Sequence, residues 1–328
     1  MLKIAGENNI FHSLEILHKF ITFLLIIWTS VAFSAQNESI SNTNIVAQDN
    51  KNISINDSVK RLVEQSEEYW LKNNRSESDS LISLAFIIIP QMEFPDSIVL
   101  ADAYHVLGKN LIHKKEYQRG IDTLKKCNII KQKVLFDHHK SISKTLNYIG
   151  IGYMANQNYD SAIYFCQKAK EPLIKNNISD TNLYLANLNI GIFYARQGKY
   201  NSAFNYFDTA LIVLNKSGLI KNDSIFVWRY YYNYALFTTF TGKLKKANKY
   251  YEYAETILID KFGANDIRVA HINNNKGNNS YYAYEYSKAE LYYKKALEVY
   301  SASTEDMEED ISRTYFNLSS VSSDKGDH

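Results

Sequence analysis

The sequence predicts an all-α protein built as a solenoid of antiparallel helix pairs, and three observations lead to this prediction. The 328-residue chain has only 3 Pro and 12 Gly, too few turn-forming residues for an all-β or doubly wound fold. Hydrophobic residues make up 45% of the chain and charged residues 22%, which is the range of globular proteins. A pattern of small residues recurs about every 42 residues, and such a period indicates stacked repeats.

The first 35 residues have the layout of a secretory signal peptide. Sparse lysines precede an apolar run at 20–33, and the small residues Ser34 and Ala35 follow it. We therefore expect cleavage near residue 34 and export to the periplasm or the exterior. The run of about 14 residues is shorter than the roughly 20 that span a bilayer. An uncleaved anchor is the alternative, and only then do we expect contact with a membrane.

A second segment, residues 36–58, is rich in Asn and Ser with scattered Ile. This composition buries too little apolar surface to offset the entropy of ordering the chain. The sequence therefore predicts a disordered linker here, and it places the start of the repeat array at residue 59.

One small residue in each unit anchors the register of the repeats. Residues 148–169, 189–210 and 275–296 superpose without a gap, and each has a glycine at its third position. Extending this register gives the anchors Ser66, Gly108, Gly150, Gly191, Ala235, Gly277 and Ser319. The array then covers 59–328, with six full repeats that start at about 59, 101, 143, 184, 228 and 270, and the first helix of a seventh from about 312.

Three further columns support this register. Twelve residues after each anchor the chain has Ser78, Gly120, Ala162, Ala203, Ala247 and Ala289, and nineteen after it Ala85, Cys127, Ala169, Ala210, Ala254 and Ala296. Sixteen after it stand Ile82, Leu124, Cys166, Phe207, Tyr251 and Tyr293. Small residues that flank a large one at helical spacing predict two closely packed helices in each unit. We interpret the two cysteines as small core residues.

This pattern resembles the tetratricopeptide repeat. The third unit carries it as Ile149, Gly150, Tyr153, Ala162, Cys166 and Ala169, and the fourth as Ile190, Gly191, Tyr194, Ala203, Phe207 and Ala210. The resemblance covers 59–328 and implies a right-handed α-solenoid. The unit is about eight residues longer than the usual repeat, close to two helical turns. Such longer units are similar to those of kinesin light chains and of bacterial proteins with a caspase-like CHAT protease domain.

The first helix of each unit has a stripe of residues opposite its packing face. The resemblance implies that this stripe lines the concave groove of the superhelix, where ligands bind. Two residues before the anchor, four successive units carry Asn189, Asn233, Asn275 and Asn317. An Asn side chain both donates and accepts, so a ladder of them can bind a peptide backbone. The alternative is that these asparagines only face solvent.

Charged and aromatic side chains flank this ladder. The stripe adds Arg196, Arg229, His271 and Arg313, which could hold the carboxylates of an acidic segment or a chain terminus. An apolar floor is expected from Ile192, Tyr232, Leu236, Phe240 and Tyr282. The alternative for the arginines is that they are solvated charges.

The sequence predicts a binding protein without catalytic activity. Motifs for zinc hydrolases, CxxC sites and phosphate-binding loops are missing, so we expect no cofactor and no metal site. The net charge of +2 gives no bulk attraction to nucleic acid, and we expect no such partner. The expected partner is a protein or peptide, with acidic groups as one option. The alternative function is a sensing or substrate-recruiting region of a larger effector, a CHAT-type protease or a membrane signalling kinase, with its catalytic domain beyond residue 328.

The sixth unit departs from the pattern. Asn273, Lys276 and Ser280 occupy columns that are mostly apolar or aromatic in the other units. Polar side chains on a packing face lower the hydrophobic contribution to stability. We therefore expect this unit to be the least stable of the array.

Overall fold

A computed structural model describes residues 43–72, 74–92, 95–136, 139–218, 224–303 and 306–326, with side chains from residue 55 onward. Within these ranges the chain forms thirteen α-helices, one short 3-10 helix at Ile89–Gln91 and no β-strand. The helices are α1 (Thr43–Leu71), α2 (Arg75–Ile88), α3 (Ser97–His113), α4 (Tyr117–Val134), α5 (Lys140–Ala155), α6 (Tyr159–Lys175), α7 (Thr181–Arg196), α8 (Tyr200–Lys216), α9 (Ser224–Phe240), α10 (Leu244–Phe262), α11 (Ile267–Tyr282), α12 (Tyr286–Ala302) and α13 (Glu308–Gly326).

Consecutive helices pack as pairs from α3 onward. Helix α3 packs on α4, α5 on α6, α7 on α8, α9 on α10 and α11 on α12. Each first helix also contacts the first helices of neighbouring units, so α3, α5, α7, α9, α11 and α13 form one continuous layer. The predicted all-α fold of stacked helix pairs is therefore confirmed. The first-helix layer carries the stripe that the sequence assigned to ligand binding.

The anchor glycines allow the two helices of a pair to touch. A Cβ atom added to Gly191 would lie 2.6 Å from the ring of Phe207, and one added to Gly277 would lie 2.5 Å from the ring of Tyr293. Both rings are buried and stand sixteen residues after their glycine, in the predicted column of large residues. The spacing of small and large residues thus records a direct contact between facing helices.

The turns between paired helices share one backbone conformation. Seven residues after each anchor, five successive units have a residue with a positive φ angle: Lys115 (66°), Gln157 (59°), Gly198 (76°), Gly242 (74°) and Tyr284 (60°). This left-handed conformation is easy for Gly and uncommon for other residues. The turn geometry is therefore kept where the sequence has no glycine.

Helix α1 begins at Thr43, so residues 43–58 are helical although the sequence predicted a disordered linker there. Burial begins at Val59 and Val63. Because extending an existing helix costs far less than nucleating one, the packed part of α1 supports helix in the residues before it. The repeat array itself, Val59–Gln91 and the chain from Pro95 onward, forms one compact unit, and residues 43–58 belong to another.

The predicted signal peptide lies outside the described residues. Among the helices that the structure does describe, none combines the length and the apolar character needed to cross a bilayer. Export and cleavage near residue 34 therefore stay predictions.

The polar residues of the sixth unit are buried, as the packing positions that they occupy predict. Lys276 donates to Glu255 Oε2 at 2.8 Å and lies 4.7 Å from the ring centroid of Tyr292. Asn273 donates to the carbonyl oxygen of Val269 at 3.1 Å. Most of these groups thus have partners within the protein, which reduces the cost of burying them. The low stability of this unit remains a prediction.

Candidate peptide-binding groove

A cluster around Tyr232 joins four successive first helices. Asn275 of α11 donates from Nδ2 to the Tyr232 hydroxyl of α9 at 3.1 Å. Burial raises the pKa of Tyr232, while the Asn275 hydrogen bond and the guanidinium groups of Arg196 and Arg313 act in the opposite direction. Arg196 belongs to α7 and Arg313 to α13. The structure thus brings Tyr232 and Asn275 into direct contact, and the charges of Arg196 and Arg313 act on the Tyr232 hydroxyl.

The carboxyl-terminal side of this cluster contains an acidic residue that the sequence analysis did not single out. Asp310 accepts from Arg313 at 2.5 Å and lies 3.8 Å from Nδ1 of His271. The same His271 nitrogen shares a hydrogen bond of 2.8 Å with the Tyr300 hydroxyl. Arg313 and His271 are therefore partly engaged by groups of the protein itself, which reduces the charge they can offer a ligand.

Arg229 of α9 acts on the pKa of two tyrosines in the preceding units. Burial raises the pKa of both Tyr148 on α5 and Tyr184 on α7, and the Arg229 guanidinium counteracts part of each increase. Arg268 and Arg313 have carboxylate partners, but in the part of the chain that the structure describes no salt bridge involves Arg196 or Arg229.

The four asparagines of the ladder are not equivalent. Asn189 is 5% exposed and lies against the thiol of Cys166, whose pKa burial raises and this contact lowers in part. Asn233 donates to the carbonyl oxygen of Arg229 at 2.8 Å within its own helix. Asn317 donates to Asn278 Oδ1 at 3.2 Å. Asn275 is therefore the ladder member that belongs to the Tyr232 cluster, and Asn189 presents little surface to a ligand.

Exposed aromatic side chains occupy equivalent positions in the fifth and sixth units. Phe240 and Tyr282 are 58% and 57% exposed, and both stand five residues after the anchor of their unit, as Arg196 does. Ile192 and Leu236, also predicted as apolar floor, are half-buried. This repeat position thus combines one exposed cation with two exposed aromatic side chains on successive first helices.

The stripe is covered in the amino-terminal units, which the sequence analysis did not foresee. Val106 and Lys109 of α3 occupy stripe positions, yet they are 2% and 1% exposed. Lys109 forms an ion pair with Glu67 of α1, and Glu67 also accepts from Lys144 Nζ of α5 at 2.9 Å. A signal was present in the sequence, because Glu67 and Lys109 follow the anchors of successive units and carry opposite charges.

Aromatic rings complete this covered region. Lys109 Nζ lies 4.8 Å from the ring centroid of Trp70 and 5.3 Å from that of Tyr148, within the range of cation–π attraction. Burial lowers the pKa of Lys109 to about 8, although Glu67 acts to raise it. Burial also acts to raise the pKa of Glu67, but the ammonium groups of Lys109 and Lys144 bring it below its usual value.

The described residues offer no metal cluster and no exposed thiol. No group of three His, Cys, Asp or Glu in these ranges could hold an ion. Cys127 and Cys166 are free and buried, as expected for core residues. Burial raises the pKa of both thiols, which disfavours the reactive thiolate.

Comparison with known proteins adds structural neighbours only. No protein-family model matches the chain, and no curated sequence is similar to it. The quorum sensor NprR from B. thuringiensis in its apo form matches with a TM-score of 0.58 and 12% identity, over 93% of this chain and 76% of that one. Rap protein complexed with competence and sporulation factor matches with a TM-score of 0.55 and 12% identity, over 75% of this chain and 77% of that one. BtubC (BKLC) from P. vanneervenii matches with a TM-score of 0.54 and 16% identity, over 74% of this chain and 91% of that one.

These similarities define the class of fold. The neighbours are tetratricopeptide-like repeat proteins, and the chain has the same α-solenoid architecture. Within this class its unit is the long one of about 42 residues, as the sequence resemblance implied. At 12 to 16% identity the likeness shows the fold and leaves the function to be argued from the groove.

Proposed function

We propose that the protein is a non-catalytic scaffold that binds a peptide or an extended protein segment in the groove formed by α7, α9, α11 and α13. The observation that carries this proposal is the cluster around Tyr232, in which Asn275 donates to the hydroxyl group and the guanidinium groups of Arg196 and Arg313 act on its pKa. Amide and guanidinium groups on successive helices suit the regularly spaced acceptors of a peptide backbone.

The structural neighbours support a role in peptide recognition. One of them is a Rap protein in complex with competence and sporulation factor, and another is a quorum sensor. A shared fold supplies a comparable groove but does not select its ligand. The side chains of this chain must therefore define the ligand chemistry.

The charges favour a ligand with an acidic group. Arg196 and Arg229 have no ion pair within the described residues, and Arg196 is exposed, so both can form charge-assisted hydrogen bonds with a carboxylate. Phe240 and Tyr282 are exposed at the repeat position that Arg196 occupies in its unit, and their rings offer apolar contacts. We therefore propose a peptide that combines an acidic group with apolar side chains, met in the exported compartment that the signal-peptide pattern predicts.

Selection of peptides on the intact protein tests this function. Random peptides displayed on phage are selected for binding, and the affinity of the best ones is measured by isothermal titration. Replacing Arg196 with Gln and Asn275 with Ala together should weaken binding by at least about tenfold, because both groups contact the ligand. The matched control is Arg119→Gln on α4, an exposed arginine far from the groove stripe. Equal affinities for all three proteins would exclude the groove as the binding site.

A further inference from the structure

A buried histidine lies between the first helices of the second and third units. His105 of α3 is 3% exposed, and its Nδ1 lies 3.2 Å from Oγ1 of Thr145 on α5. Thr145 donates its hydroxyl hydrogen to the carbonyl oxygen of Ser141 at 2.9 Å, so the Thr145 oxygen accepts from Nδ1 of His105. The neutral ring therefore carries its hydrogen on Nδ1 and has an unprotonated Nε2.

The second ring nitrogen of His105 has no partner. Its Nε2 atom is buried, and no group of the described residues forms a hydrogen bond with it. The ring of Tyr148 packs perpendicular to the imidazole at a centroid distance of 5.2 Å. A proton on Nε2 would place a charged N–H in the interior without an acceptor, which is unfavourable. The packed interface therefore selects the neutral ring.

The charged groups of this region also oppose protonation of His105. Glu67 of α1 is already paired with Lys109 and Lys144, and Asp102 of α3 is paired with Lys131 at 2.8 Å. Burial lowers the pKa of His105 well below its usual value, and three ammonium groups add to this effect, those of Lys131 on α4, Lys109 on α3 and Lys144 on α5. Both carboxylates are thus engaged by lysines rather than by the imidazole.

The other titratable groups of this region change charge at different pH values. Despite burial, the ammonium groups of its partners keep the pKa of Glu67 below its usual value, and burial lowers that of Lys109 to about 8. Burial raises the pKa of Cys127 and of Tyr148. The interval from about pH 5 to pH 6.5 therefore belongs to His105.

The sixth unit has the same contact without a histidine. Asn274 stands three residues before its anchor, as His105 does, and it accepts from Oγ1 of Thr314 at 3.3 Å. Thr145 and Thr314 both stand five residues before the anchor of the following unit. The two contacts are therefore equivalent, and an asparagine fits where the second unit has its histidine.

We propose that the interface between α3 and α5 is a pH-sensitive switch, which opens in mildly acidic conditions when His105 takes up a proton. Opening separates the helices that Glu67 joins, and it exposes Lys109 together with the rings of Trp70 and Tyr148 that cover it. The open ring binds a proton below about pH 6.5 and the packed ring does not, so opening becomes more favourable as the pH falls. This inference does not rest on the proposed function.

Hydrogen exchange of the intact protein at pH 7 and pH 5 tests this inference, after correction for the intrinsic exchange rates. With an ordinary pKa of about 6.5 in the open state, the equilibrium constant for opening should rise about 25-fold over this interval. We expect this rise in α3 and α5. In α9 and α10, which serve as the internal reference, the change should stay below about threefold.

The variant that assigns the effect is His105→Asn, which installs the residue that the sixth unit has at this position. In this variant the rise in α3 and α5 should fall below about threefold. His139→Asn, at an exposed histidine that caps α5, is the matched control and should keep the full rise. Equal rises in the parent protein and His105→Asn, or a rise in α9 and α10 as large as that in α3, would overturn the inference.

Nitrogen-15 NMR of the imidazole in the parent protein gives a second test that holds even if His105→Asn does not fold. At pH 7 the ring shifts should place the hydrogen on Nδ1, and folded molecules should keep the neutral ring at about pH 5.5. An imidazolium signal from folded protein at that pH would show that the packed interface accepts the charge, and the inference would then be wrong.

Discussion

Equivalent positions of the repeat differ in side-chain exposure between the amino-terminal and carboxyl-terminal halves of the array. One residue after the anchor, Lys109 in the second unit is buried under an ion pair, whereas Leu236 and Asn278 in the fifth and sixth units are half-exposed. The backbone register is the same in both halves. The difference comes from the side chains, because Glu67 and Lys109 carry opposite charges in adjacent units. The repeat thus provides the surface, and a few charged residues decide which part of it a ligand can reach.

Removing the ion pair between Glu67 and Lys109 in the amino-terminal units should have the largest effect on stability. We predict that Glu67→Gln lowers the free energy of unfolding by about 3 kcal/mol or more, because it leaves the Lys109 ammonium buried without its carboxylate. Urea unfolding at pH 7 measures this loss. The matched control is Glu290→Gln in the exposed pairs with Lys294 and Lys325, for which less than about 1 kcal/mol is expected.

The pH dependence of this variant follows from the sign of the Lys109 shift. The pKa of Lys109 is already lowered to about 8 by burial in the presence of Glu67, and without that carboxylate it falls further. A lysine whose folded pKa lies below its unfolded value makes the protein more stable as pH rises through the interval between them. The difference between Glu67→Gln and the parent protein should therefore shrink from pH 7 to pH 9. A constant difference over this interval would show that Lys109 keeps its charge by other means.

Comparing anchor glycines in the two halves should give an intermediate effect. A Cβ atom at Gly277 would meet the ring of Tyr293 at 2.5 Å, and one at Gly108 would meet Leu124 at 2.6 Å. A buried ring adapts less readily than a leucine side chain, so we expect Gly277→Ala to cost about 1 to 3 kcal/mol and Gly108→Ala less. Urea unfolding measures both. Gly326→Ala, with no neighbour within 4 Å, serves as control, and equal losses at all three sites would contradict the role of the anchor contact.

The smallest effect on stability is expected at the Tyr232 cluster in the carboxyl-terminal units. Tyr232→Phe removes the hydroxyl group that accepts from Asn275 at 3.1 Å. Because the site is half-exposed and water can replace the acceptor, we expect a loss of about 0.5 to 1 kcal/mol in the free energy of unfolding. Tyr282→Phe, which removes an exposed hydroxyl, should leave stability unchanged within about 0.5 kcal/mol. A loss above about 2 kcal/mol for Tyr232→Phe would mean that this cluster supports the fold rather than a ligand.

The fold was predictable because its determinants are local and repeated. Gly191 and Phe207 stand sixteen residues apart in the sequence and touch in the structure, and the same interval returns in every full unit. The effect of Arg229 on the pKa of Tyr148 could not be predicted in this way, since it acts between units that are not adjacent in the sequence. The helix before Val59 escaped prediction because its composition is polar, and its order depends on the packed residues that follow it.

The shared turn has a consequence for how such an array can be lengthened. The same left-handed backbone conformation occurs at the same point of five hairpins, at Lys115, Gln157, Gly198, Gly242 and Tyr284. The five hairpins therefore share one turn geometry. Duplicating the unit that contains Gly242 would keep the phase of every first helix and move the last two units outward by roughly one interhelical distance, about 8 to 10 Å. The array is therefore modular: a single duplication would extend the binding surface by about three ligand residues, while the covered region at Lys109 stays unchanged.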